Sequence, residues 1–135
     1  MADYTVKNLR EVEDSAPTFG FAPDMEARFA TGELGLGESG VSLQRLAPGA
    51  AQPFGHRHKR QEELYVVVAG SGRVRLDDVV VELGPWDAVR VAPGVSRSFA
   101  AGPDGLEFLA FGAPAVDSLP EDVEQEPSPW GSEAA

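Results

Sequence analysis

Glycine and proline punctuate this chain often enough to mark off many short strands, and the apolar runs between them are of strand length. Residues 41–46 alternate apolar and polar before Pro48-Gly49 turns the chain, and 63–68 are rich in β-branched and aromatic side chains. Ala69-Gly70-Ser71-Gly72 reads as a turn, 73–76 alternate strictly, and 79–83 follow a second turn at Asp77-Asp78. Gly84-Pro85, Pro93-Gly94 and the stretch 102–105 then separate 88–91, 96–100 and 106–111. A meander of short antiparallel strands with no helical period predicts an all-β sandwich or barrel.

The first thirty residues fit an arm that covers an edge of this sheet, with 4–9 a short edge strand, 11–15 a turn or single helical turn, and 27–31 a strand along the barrel edge. The 135 residues suffice for one core. We place the single domain at 1–112, arm included. The remainder, 113–135, carries Asp117, Glu121, Asp122, Glu124, Glu126 and Glu133 with no lysine or arginine, and four prolines break it. A poorly ordered tail is expected there, with Trp130 the one residue able to tether it.

The formal charge of −11 speaks against nucleic-acid binding, which needs a basic face. Without the six tail acids the body holds 16 acidic against 11 basic residues, ordinary for a soluble domain. No run approaches a membrane span and no signal-peptide core opens the chain, so a cytoplasmic protein without membrane contact is expected. With no cysteine, any metal has to be held by nitrogen and oxygen.

His56 and His58 lie two apart, so on an extended segment both rings project from one face. Glu63 opens the next run, and a hairpin sets all three together. Two imidazoles and a carboxylate suit a divalent ion such as Fe, Mn, Ni or Zn. The same five residues, His56-Arg57-His58-Lys59-Arg60, also read as a solvated loop.

In order and spacing, His56, His58, Glu63 and Gly70 resemble the first motif of the cupin superfamily, with Gly49 one residue further from His56 than usual. The segment 86–97 resembles the second motif. Asp87 and Gly94 match, whereas Trp86 replaces a glycine, Pro93 comes one place late, and Arg97 stands where the family has its fourth ligand, a histidine. The resemblance covers about 41–112 and implies an antiparallel jelly-roll barrel, a double-stranded β-helix.

Arg97 cannot ligate a cation. Pointing inward, it opposes a metal or pairs with Glu63, or it clamps a carboxylate or phosphate of a ligand; pointing outward, it makes a surface salt bridge. Tyr65 shares a face with Glu63, and Phe99 with Arg97, so ligand-binding positions are assigned to Tyr65, Arg97 and Phe99, with core packing the competing role of both aromatics. Trp86 is expected to pack at the barrel mouth.

The leading reading is a small cupin binding a small organic ligand, its divalent metal weakly bound or absent. A metal-dependent oxygenase or isomerase using His56, His58 and Glu63, and a non-catalytic oligomer, are the alternatives. A homodimer is expected because Leu64, Val66 and Val68 make the run apolar on its other face too.

Overall fold

The computed structural model describes residues 3–115 and 121–131. They form eight strands: β1 (Met25–Phe29), β2 (Gly40–Leu46), β3 (Phe54–His58), β4 (Glu62–Leu76), β5 (Val79–Leu83), β6 (Ala88–Val91), β7 (Arg97–Ala113) and β8 (Val123–Pro127). Among the described residues the helical elements are two short 3₁₀ turns, Leu9–Glu11 and Pro17–Phe19, and the α-turn α1, Thr31–Leu34. All pairings are antiparallel, and the hydrogen-bonded order β1-β2-β7-β3-β8 is joined through β7 to β4, which also carries β5 and β6. This is the jelly-roll barrel that the sequence led us to expect.

Two long strands carry the architecture, and the sequence divides both of them wrongly. The expected turn at 69–72 is the middle of β4, and the expected break at 102–105 lies within β7. The two strands run as one antiparallel ribbon from Glu62↔Ala113 to Leu76↔Arg97, with register shifts between Val67 and Ala69 and between Gly70 and Gly72. Glycine is needed here for close approach rather than for reversal. A Cβ on Gly70, whose φ is +77°, would fall 2.1 Å from the Gly105 carbonyl oxygen, and one on Gly72 would fall 2.3 Å from that of Ala100. Bulged glycines let a strand bend at a barrel corner, so the run continues where the residue types suggest a hairpin.

Inward positions of β4 and β7 meet in an aromatic floor. The Phe99 and Phe108 rings stack at 4.5 Å, Tyr65 lies 4.7 Å from Phe99, and Val67, Val74, Val91 and Leu106 close around them. Leu64, by the alternation of a strand, points outward and is 40% exposed.

The amino-terminal arm contains no strand at 4–9. It lies along β1 instead, through Ser15 N–H to the Ala27 carbonyl and a bridge between Asp14 and Arg28, and it buries Val12 and Ala16. Trp86 does not pack at the mouth. It is 74% exposed with φ +71°, the left-handed backbone that glycine adopts freely, which accounts for the glycine of the family motif at this position.

The acidic tail departs most from expectation. Residues 121–131 are built into the barrel: β8 pairs with β3 from Phe54↔Pro127 to His58↔Val123. Trp130 is buried, donating its indole N–H to Ser98 Oγ at 2.9 Å, with the Arg73 guanidinium 5.0 Å above its ring. The one-signed charge is half of a complementary pair, since Glu124 and Glu126 face Arg57 and Glu124 faces Lys59 across the ladder. A proline terminating an edge strand is compatible with this pairing. The rest of the expected loose tail, 116–120 and 132–135, lies outside the described residues.

Candidate functional site

Strand β3 supplies His56 and His58, and β4, entered through the turn at 59–61, supplies Glu63 and Tyr65. Glu63 Oε1 is the hub. His56 Nε2 lies 3.4 Å from it, His58 Nε2 3.1 Å, and the Tyr65 hydroxyl donates to it at 2.5 Å. Burial pushes the Glu63 carboxyl up, but the contacts with His56, His58 and Tyr65 outweigh it and hold the group far below the usual carboxylate range. Burial lowers His56 below the ordinary 6.5 despite Glu63. Tyr65 is raised well above 10.0, first by burial and then by the adjacent carboxylate, so its hydroxyl stays a donor.

Arg97 enters from the start of β7, where it pairs with His56. Of the orientations open to it the structure takes the inward one. It is fully buried, with Nη1 3.9 Å from Glu63 Oε1, and none of its three side-chain nitrogens has a hydrogen-bond partner among the described residues. That excludes a surface salt bridge. At ~4 Å, opposite unit charges attract by about 4 kcal/mol at an effective dielectric near 20, before the cost of desolvating both.

The donor atoms of His56, His58 and Glu63 all lie within 4.8 Å of one another. Bonds of about 2.0–2.2 Å from a shared divalent ion to nitrogen and oxygen put neighbouring donors roughly 3 Å apart. The measured 3.1 and 3.4 Å fit that requirement, so this triad can hold a metal. Arg97 contributes no donor and opposes the ion's charge.

Beside the cluster opens a cavity of ≈ 270 Å³. His56, His58, Glu63 and Tyr65 form its inner wall, Phe29 and Phe54 supply apolar surface, and Gln44 and Gln125 supply amides. Arg97 and Phe99, both assigned to ligand binding from sequence, are absent from this wall. Phe99 is 1% exposed and sits under Tyr65 as floor, because a barrel this narrow fills its own interior. Arg97 sits behind Glu63.

One side chain beside the cluster escaped the sequence reading altogether. Asp122, just before β8, places Oδ2 2.9 Å from His58 Nδ1 and takes the backbone N–H groups of Arg60 and Gln61 at 2.6 and 3.2 Å. Burial raises its carboxyl, and these three contacts more than reverse the effect, leaving it below the ordinary 3.8. Alternate acids at 122, 124 and 126, matched against the basic stretch 56–60, are the signal by which it could have been found.

Comparison with known proteins bears on the fold. A cupin protein from Bacteroides fragilis, BF4112, superposes with a TM-score of 0.70 at 27% identity, covering 84% of this chain and 86% of that one. Oxalate decarboxylase from Bacillus subtilis gives a TM-score of 0.71 at 26% identity over 90% of this chain, which spans only 32% of that protein. A variant of Streptomyces PAC13 with uridine gives 0.71 at 19% identity, covering 94% and 93% of the two chains, a likeness of fold alone. No curated protein sequence matches this chain. The family model described as "Cupin domain" matches residues 42–111, more than half of the sequence and both motifs, and the chain therefore belongs to the cupin family.

Proposed function

We propose that this cupin binds a small polar organic molecule against the inner wall of its barrel, with any divalent metal held only weakly. One observation carries the reading: Glu63, the acceptor at the centre of the site, already faces a buried guanidinium and three hydrogen-bonding partners. Arg97 supplies positive charge where a metal's fourth ligand is expected. The centre is thus balanced without an ion.

The volume lies at the small end of ligand cavities, and its wall combines two aromatic rings with amide and imidazole groups. That suits a hydroxy or carbonyl compound of a few carbons, whose hydroxyl donates to Glu63 and whose apolar side rests on Phe29 and Phe54. The test is a thermal-shift screen of such compounds with a chelator present. Stabilisation that persists with chelator and disappears in Glu63→Gln supports the reading. One tightly held metal per chain in the purified protein, needed for every response, overturns it.

The second reading is a metal-dependent enzyme, favoured by the donor spacing and by the carboxylate behind His58. His56, His58 and Glu63 would hold the ion, whose contribution is Lewis acidity toward a ligand oxygen. The chain's own groups then shape the site: the Tyr65 hydroxyl donates to Glu63 and favours its ionised form, and Phe29 and Phe54 offer apolar surface to the ligand.

A second copy of the chain is the partner proposed for the outer face of β4. Leu64 pairs with Phe111 there, and both are more than a third exposed beside Arg90, leaving apolar surface for a homodimer to cover.

A further inference from the structure

The site has a fastening that lies outside the stretch matched by the family. Residue 122 is separated from the last matched position, 111, and arrives beside His58 only because β8 returns along β3. There the carboxylate is 3% exposed and meets three groups at once: the His58 ring and two backbone N–H groups of the turn between the histidines and Glu63. The Asp122 carbonyl takes a further N–H from Lys59 at 2.9 Å. An ionised carboxylate only accepts hydrogen bonds, so His58 presents N–H at Nδ1. Its Nε2 is thereby turned to the cavity side, 3.1 Å from Glu63 Oε1.

We propose that Asp122 is a positioning residue: it fixes the orientation and the hydrogen-bearing nitrogen of His58, and fixes the turn that sets the distance from His58 to Glu63. The carboxyl-terminal strand is then part of the site's construction. Carboxylates behind ligating histidines change metal affinity by about 10–100-fold when removed. Glu124 is the internal control, because it lies two residues further on, in β8, with the same charge, and its ion pairs among the described residues are with Arg57 and Lys59.

Two measurements test this on the full-length chain. In a Co(II) titration, Asp122→Asn is expected to weaken binding at least tenfold while Glu124→Gln stays within twofold. Equal affinity in Asp122→Asn and the unmodified protein, or an equal loss in both variants, overturns the proposal. Long-range ¹H–¹⁵N spectra of the unmodified protein provide the second measurement, independent of any variant's folding. Hydrogen on His58 Nδ1 is expected, and a bare Nδ1 overturns the proposal. Should the unmodified protein take up no Co(II), the metal-enzyme reading falls, and the spectrum alone decides the role of Asp122.

Discussion

At Arg97 a guanidinium occupies the position of a metal ligand and is buried there, so substitution at this residue tests the charge argument directly. Arg97→His removes a positive group 3.9 Å from Glu63 and adds an imidazole. Divalent-metal affinity is expected to rise by at least tenfold in a calorimetric titration, since the change removes a like charge and adds a nitrogen donor, and unit charges a few ångströms apart interact by about 4 kcal/mol at an effective dielectric near 20. Tyr65→Phe keeps the ring packing and deletes one donor to Glu63; the expected cost is about 1–3 kcal/mol in urea unfolding, as for other hydrogen bonds to charged groups. His56, His58 and Glu63 were legible through their spacing and the resemblance to the cupin motif, but not through the expected hairpin: β3 pairs with β7 and β8 and not with β4, so the three side chains meet across the barrel interior. The burial of Arg97 was not, because residue type argues for the surface and only the barrel's closure decides otherwise. Phe99 was legible as inward-facing, but not which inward side chains reach the cavity and which lie beneath them.

Strands were legible wherever their side chains alternate, and illegible where glycine has two uses. At 69–72 and 102–105 the residues that commonly make turns serve a bend in a continuous ribbon, and only the opposing strand distinguishes the two cases. Gly70→Ala is accordingly expected to cost more than 2 kcal/mol in chemical denaturation, because its new methyl meets a backbone carbonyl that cannot swing aside. The strand β8 was hidden for another reason. Its neighbour β3 lies about seventy positions earlier, and its face toward water is acidic, so it lacks the apolar alternation by which strands are recognised. Trp130→Ala is expected to remove about 3–5 kcal/mol and lower Tm by roughly 10 °C or more, read by differential scanning calorimetry. A chain ending at Ala115 is expected to lose at least as much.

For the molecule as a whole, the shifted groups of the site set the acid limb of stability. The folded state holds His56 below 6.5, so the unfolded chain takes up that proton first as pH falls and gains on the native state. Glu63 and Asp122 act in the same sense from about pH 4.5 and 3.8 downward, because each stays ionised in the fold after its unfolded counterpart is protonated. Urea midpoints are expected to fall steadily from pH 7 to pH 4, and a flat or rising profile would contradict these assignments. Light scattering at tens of micromolar is expected to give twice the chain mass, and a monomer would remove the dimer proposed on β4. Among the described residues no helix is long and apolar enough to cross a membrane. The pairing of β3 with β8 also bears on the order in which a ribosome delivers this chain. His56, His58 and Glu63 leave the exit tunnel about sixty residues ahead of Asp122, whose carboxylate meets His58. Through that interval the β3 edge that β8 will cover stands open, so the growing chain holds His56, His58 and Glu63 before it holds the strand that pairs beside them.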